Sequence, residues 1–228
     1  MTLGQYCIIY PEYFTQRECD IIQEVAEQIE LEEGRIGNGE HDPDAPRDEQ
    51  SGTNDNFIRQ SDVKWIIHNQ MPQEIGQKIT DGINQANVDA NWMFQWDHIE
   101  NHQYTIYRHR PDAEVTGDFY TWHTDSGATP QSDGGRIRKL SSTIQLSHPD
   151  EYEGGNFQWI EPLHIFDRLK STGTQNINVD QYIKTAPFSA KMPGTLIVFP
   201  SFVHHQVTPV TRGRRISLVS WYHGQPYV

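Results

Sequence analysis

The stretch FYTWHTDSG places His123 and Asp125 two residues apart. Successive side chains on a strand point to opposite faces, so residues i and i+2 share one. At a strand or its end, this spacing sets an imidazole beside a carboxylate. Such a pair can be an ordinary hydrogen-bonded contact, or it can be two ligands of a metal. A second histidine motif adds weight to the metal reading. In SFVHHQVT, His204 and His205 are adjacent, so at most one of them faces a given pocket. Val203, His205 and Val207 share one face, while Phe202, His204, Gln206 and Thr208 share the other. The Val-His-Val face reads as a sheet interior, which makes His205 the inward candidate. Alone it would be a satisfied core histidine. With His123 and Asp125 it completes a set of two imidazoles and one carboxylate, which leaves coordination positions open on a bound metal.

The elements that must position these groups fall into two textures. YCIIY reads as a short strand, and FTQRECDIIQEVAEQIELEE as a helix. Thr15 and Glu18 form a capping-box pattern at its start. Ile21, Ile22, Val25 and Ile29 give it one apolar face. From Gly34 to Asn56 almost nothing is apolar, which predicts a long loop. SDVKWII resumes order, and MPQEIGQKITDGINQAN predicts a second helix with Ile75, Ile79 and Ile83 on one stripe. After Trp92 short apolar runs alternate with Gly, Pro, Asp and Asn turns. HQYTIYR, DFYTWH, LSSTIQLS, GNFQWI, KMPGTLIVF, FVHHQVTPV and RRISLVSW are the expected strands. Many short strands with regular punctuation predict a barrel or jelly roll. VTPVTRGRR reads as a hairpin turned by Pro209 and Gly213. The expected fold is α+β, mainly β, in a single domain over 1–228. Residues 1–91 supply helical support and the loop, and residues 92–228 the β core.

Composition bounds the partners. The chain has 228 residues with 31 Asp+Glu against 18 Lys+Arg. That acidity argues against a nucleic-acid backbone and against an anionic membrane surface. Two cysteines, Cys7 and Cys19, are expected to be reduced thiols. The opening MTLGQYCIIYPEYF lacks the pattern of a signal peptide. No apolar run reaches the roughly 20 residues of a membrane span. A cytoplasmic protein is the expectation.

The segment from about Gln103 to Tyr222 resembles the 2-oxoglutarate-dependent Fe(II) oxygenases, on the prolyl 4-hydroxylase-like branch. QYTIYR, FYTWHTD, RKLSSTIQLS, YEGGNFQW, PGTLIVFPSFVHHQVTPVTRGRR and SLVSWY carry the resemblance, in the family's order. Both His205 to Arg215 and His204 to Arg214 fit the family's ten-residue interval. The family's proline stands four residues after the ligand, and Pro209 gives that spacing to His205. The resemblance implies a double-stranded β-helix (jelly roll) with N-terminal supporting helices. It implies Fe(II) at His123, Asp125 and His205, with 2-oxoglutarate and O2 as cosubstrates and ascorbate as an accessory cofactor. Arg215 would grip the far carboxylate of 2-oxoglutarate through its planar fork. Fe(II), Asp125 and Arg215 sum to two positive charges, which the dianion neutralises. Tyr107 and Tyr120, ahead of Tyr104, match residues around the cosubstrate or substrate. Thr143 and Gln145 share one face and stand near the place where relatives often carry a tyrosine. Trp221 reads as a packing residue, with the pocket floor as its other candidate role. Arg214 takes the solvated role, and His102, His109, His148 and His164 are structural or surface residues.

The implied reaction is hydroxylation of an aliphatic C–H, with proline in a peptide or protein as the first substrate class. An acidic enzyme would suit a basic target segment. A free amino acid or other small metabolite is the alternative substrate. A metal-binding barrel without activity is the alternative of another class, and the full ligand set with Arg215 counts against it. Gly34–Asn56 and Ser126–Arg136 are expected to border the pocket mouth.

Overall fold

Thr15 starts the first helix as its sequence predicts. Its hydroxyl accepts from the Glu18 N–H at 3.3 Å, and its own N–H donates to the Glu18 carboxylate at 2.7 Å. The computed structural model describes residues 5–34, 57–112, 117–126, 135–161 and 179–227. The helix, α1 (Gln16–Glu27), is shorter than the apolar pattern predicts. Glu32–Glu33 instead forms β2, pairing Glu32 with Val63 on β4 (Asp62–Ile66). A strand partner across the fold overrides local helix propensity there. The second helix, α2 (Gln73–Asp89), buries Ile75, Ile79 and Ile83 completely. Each such side chain contributes roughly 1.5–3 kcal/mol of burial.

Both helices cover one face of a large sheet. With β1 (Ile8–Tyr10), β3 (Arg59–Gln60), β5 (His98–Ile99) and β6 (His102–Arg108), the β elements continue as β7 (Phe119–His123), β8 (Ile137–Gln145), β9 (Tyr152–Gly154) and β10 (Phe157–Ile160). Then come β11 (Ile183–Thr185), β12 (Leu196–Pro200), β13 (His205–Val207) and β14 (Val210–Gly224). The large sheet runs β1-β12-β8-β14-β6-β4-β2, with β5 and β9 also paired to β14. The smaller sheet runs β11-β10-β13-β7-β3. From β6 onward the chain alternates between them: β6 large, β7 small, β8 large, β10 and β11 small, β12 large, β13 small, β14 large. This is the expected double-stranded β-helix.

Alternation along each strand then sorts side chains. Tyr104, Ile106, Leu140, Ile144, Ile216, Leu218 and Tyr222 pack under the helices in the main core. Tyr107, Thr143, Gln145, Arg215 and Trp221 lie on the opposite face, toward the space between the sheets. Tyr104 is therefore a core residue.

VTPVTRGRR does not form a hairpin. β13 pairs with β7 and β10, and β14 pairs with β6, β8 and β9. Pro209 marks the crossing from the small sheet to the large one. Gly213 sits inside β14 with φ +70°, where a Cβ would lie 1.9 Å from the Glu151 carbonyl oxygen. The turn residues permit a crossover and a close backbone approach, which local pattern cannot tell from a hairpin. Of the expected loop Gly34–Asn56 only Gly34 is described, and residues 127–134 of the Ser126–Arg136 segment also lie outside the described residues. Among the described residues no helix is long and apolar enough to cross a membrane. Both cysteines are free thiols.

Candidate metal and cosubstrate site

β7 ends on His123 and β13 begins on His205, and the two residues are cross-strand partners. The register slips between His205 and Val207, a bulge of the kind that re-aims side chains beside active sites. Asp125 follows β7. Its N–H and that of Ser126 both donate to the Ser201 carbonyl at 2.9 Å, which fixes the carboxylate beside the two rings. His123 Nε2 lies 3.6 Å from Asp125 Oδ1, and His205 Nε2 lies 3.7 Å from Asp125 Oδ2. One ligand atom from each residue falls within 4.8 Å of the others. His204 is exposed and points elsewhere.

Each imidazole is set for ligation by its backbone. His123 Nδ1–H donates to the Thr121 carbonyl at 2.7 Å, and His205 Nδ1–H to the Val203 carbonyl at 2.9 Å. Both Nε2 lone pairs are thereby turned to the shared space. Burial, with His123 alongside, pushes His205 down to about 4, so at neutral pH it is an uncharged ligand. Burial alone would raise the Asp125 carboxyl. His205, His123 and Arg138 outweigh it and hold the group well below the usual carboxylate range. Tyr120 stacks on the His123 ring at 3.4 Å, and Phe199 packs 4.5 Å from the His205 ring.

On one side of this set a cavity opens, lined by Gln145, Tyr152, Phe157, Lys191, Ile197 and Arg215. Arg215 is 4% exposed. Its guanidinium reaches the Ser217 hydroxyl at 3.4 Å and lies 5.6 Å from the Tyr107 ring. The Tyr152 hydroxyl is buried beside the Arg215 guanidinium, with no close hydrogen bond among the described residues. Gly155, at φ +57°, lets the chain lie against the Arg215 stem, since a Cβ there would be 2.8 Å from Cδ. Thr143 shares the inward face of β8 with Gln145 but does not line the cavity.

The other side of the set is aromatic and cationic. The Arg138 guanidinium lies 4.0 Å from the Trp221 ring, and Glu100 holds it with bonds of 2.6 and 2.7 Å. His223 also bonds to Glu100. Burial alone would raise the Glu100 carboxyl, but Arg138 and His223 bring it to about 2. Trp65 stands 6.1 Å from Trp221. Arg59 covers Tyr120 at 4.8 Å.

The structure thus brings His123, Asp125, His205, Arg215, Gln145, Tyr107 and Tyr120 to one interior, with Thr143 behind them. Trp221 packs against the Arg138 guanidinium and does not line the cavity beside Arg215. His102 is buried against the Ser220 hydroxyl, His148 caps a short turn and Arg214 is exposed. His164 lies outside the described residues. Sequence reasoning missed Tyr152, Lys191, Arg138, Glu100 and Arg59. Sheet register, not sequence spacing, brings these to the site. For Tyr152 a signal existed, because the adjacent Gly154-Gly155 marks a tight backbone approach.

The donor set fits a divalent iron: two imidazole Nε2 atoms and one ionised carboxylate, clustered, with both histidine Nδ1 atoms already bonded to backbone carbonyls. The cavity beside it fits a carboxylate, because a buried guanidinium and a buried phenol hydroxyl converge there.

Residues 102–223, more than half of the chain, match the family model described as the 2OG-Fe(II) oxygenase superfamily. A PKHD-type hydroxylase of Shewanella sp. (strain MR-7) is 33% identical over 105 residues, covering 46% of this chain and 38% of that protein. The matched part is thus less than half of that relative's length. A prolyl-4-hydroxylase of Pseudomonas putida superposes with a TM-score of 0.59 at 16% identity, over 98% of this chain and 95% of that one. The viral collagen prolyl hydroxylase of Paramecium Bursaria Chlorella virus-1, solved with 2OG, gives a TM-score of 0.59 at 16% identity, over 97% of each chain. These likenesses show the shared fold. The chain belongs to the 2OG-Fe(II) oxygenase superfamily, whose cofactor and cosubstrate are Fe(II) and 2-oxoglutarate.

Proposed function

We propose that this 2OG-Fe(II) oxygenase hydroxylates proline at C4 within a peptide or protein. The observation that carries the reading is the face formed by Trp221, Arg138 and Tyr120 beside the metal ligands. A saturated pyrrolidine ring packs well on aromatic rings, and it lacks the charges a free amino acid presents. Arg138 offers donors for the carbonyls that flank a proline in a chain. The names of the similar proteins support the same substrate class, and the net charge of −13 suits a basic target segment.

His123, Asp125 and His205 would hold the iron, and Arg215, with Tyr152 and Gln145, the far carboxylate of 2-oxoglutarate. When bound, Fe(II), 2-oxoglutarate and O2 supply the oxidising power to hydroxylate an aliphatic C–H. The chain's own task is placement. Asp125 offsets one metal charge. The Nδ1 bonds of the two histidines keep their rings in a single orientation. Phe157 and Phe199 wall the interior against water. Glu100 holds the Arg138 fork in one position over Trp221, so the target C–H is presented and not merely retained.

The test is incubation with proline-containing peptides of basic, neutral and acidic sequence, followed by fragment mass spectrometry. The expected result is one oxygen gained on proline, fastest in basic peptides and absent where alanine replaces proline. Oxygen gained only on a free amino acid or metabolite would overturn the assignment.

A further inference from the structure

Two cations face the cavity beside the metal set, and the family resemblance accounts for one. Lys191 stands in the short turn Phe188–Lys191 that leads into β12, and its side chain lines the same cavity as Arg215. Its Nζ donates to the Gly154 carbonyl at 2.9 Å and lies 5.3 Å from the Tyr152 ring. An ammonium has three donors, so two remain for a ligand. Among the described residues neither Lys191 nor Arg215 has a carboxylate partner. Two positive groups around one small cavity repel each other unless an anion lies between them. Arg215 is buried and Lys191 half-buried, and a buried charge in a folded protein is otherwise paired.

We propose that Lys191 is a second cosubstrate-binding cation, which clamps the far carboxylate of 2-oxoglutarate together with Arg215 and the Tyr152 hydroxyl. The division of labour follows from shape. Arg215 offers a rigid fork that sets the plane of the carboxylate. Lys191 offers a compact charge on a flexible stem, tethered by the Gly154 carbonyl. Gly154 and Gly155 belong to the same segment as Tyr152, so one short stretch positions all three donors. The prolyl hydroxylases that the sequence resembles often carry a tyrosine near the place of Gln145. Here the cavity draws its phenol from β9 and a further charge from the turn before β12.

This inference rests on the cosubstrate reading of the cavity, and the experiment separates the two. Calorimetric titration of the Mn(II)-loaded protein, which avoids turnover, is run with 2-oxoglutarate and with 2-oxopentanoate, which lacks the far carboxylate. The variants are Lys191→Met, Lys191→Arg and Arg215→Met. Lys191→Met is expected to weaken 2-oxoglutarate binding about tenfold, the loss of one charge-assisted hydrogen bond. Its affinity for 2-oxopentanoate stays at the wild-type value, and Lys191→Arg recovers most of the loss. Equal weakening of both ligands, or no weakening of either, overturns the role of Lys191. Should Lys191→Met fail to fold, Lys191→Gln gives the same comparison. If Arg215→Met also fails to separate the two ligands, the cosubstrate reading of the cavity falls with it.

Discussion

Replacing Arg215 by Met should move two quantities in opposite directions. In the free protein the guanidinium is 4% exposed, reaches the Ser217 hydroxyl at 3.4 Å and neighbours the Tyr152 hydroxyl. Among the described residues this buried cation has no carboxylate partner. Met keeps most of the stem, whose Cδ packs against Gly155, and removes the charge. A buried charge replaced by an apolar group of similar volume is often neutral or stabilising. The free variant should therefore unfold at the same urea concentration as wild type, or higher. With 2-oxoglutarate bound the account reverses, because the far carboxylate then lies buried opposite no fork. Breaking such a pair costs on the order of 3–5 kcal/mol. At about 1.4 kcal/mol per tenfold, that is roughly a hundred- to several-thousandfold weaker binding. Arg215→Lys retains charge and should lose less. Metal affinity should be unchanged in both, since Arg215 is not a ligand. The assay is urea unfolding of the metal-free protein alongside calorimetric 2-oxoglutarate binding to the Mn(II) form. A variant that is less stable when free yet binds 2-oxoglutarate normally would refute the reasoning. So would a larger loss of affinity in Arg214→Ala, which would shift the register of β14 by one.

Three further outcomes follow. Burial and the neighbouring His68 hold His102 near 4, against an unfolded value of about 6.5. As pH falls from 6.5 toward 4 the unfolded chain takes up a proton that the folded one refuses, so stability falls by roughly 3 kcal/mol over that window. His102→Gln should make the fall of the urea midpoint between pH 6.5 and 5 shallower, leaving the part due to His205, which burial also holds near 4; parallel curves would contradict this. Glu100→Gln should weaken the hold on Arg138 and raise the KM for the peptide while leaving 2-oxoglutarate half-saturation unchanged, and the opposite pattern would place Arg138 on the cosubstrate side. Gly155→Ala should strain a residue at φ +57° and crowd Arg215 Cδ, so that 2-oxoglutarate binds several-fold more weakly with unaltered metal content; normal binding would show that the Gly155 contact does not position Arg215.

Local chemistry was legible where it depends on spacing. The i, i+2 rule places His123 with Asp125, and alternating burial of Val203, His205 and Val207 selects His205 over His204. Helix α1 announces its start through Thr15 and Glu18, but not its end, because Glu32 answers to Val63 across the sheet. Pro209 and Gly213 carry turn chemistry that serves a hairpin and a crossover equally, and only the pairing of Val210 with Gly154 tells them apart. The same limit hid Tyr152, Lys191 and Arg138. Each sits on a segment distant in sequence from the metal motif, and register and strand order bring it to the site. Arg215 was found from its fixed interval to His205. Lys191 has no such interval, so only the cavity reveals it.

The central claim is that His123, Asp125 and His205, and not His204, hold one metal ion. It is tested most directly by anaerobic Fe(II) titration with elemental analysis of wild type, Asp125→Ala, His205→Ala and His204→Ala. The account predicts one iron per chain in wild type and in His204→Ala, and none retained at stoichiometric Fe(II) in the other two. Iron lost from His204→Ala but kept by His205→Ala would contradict it.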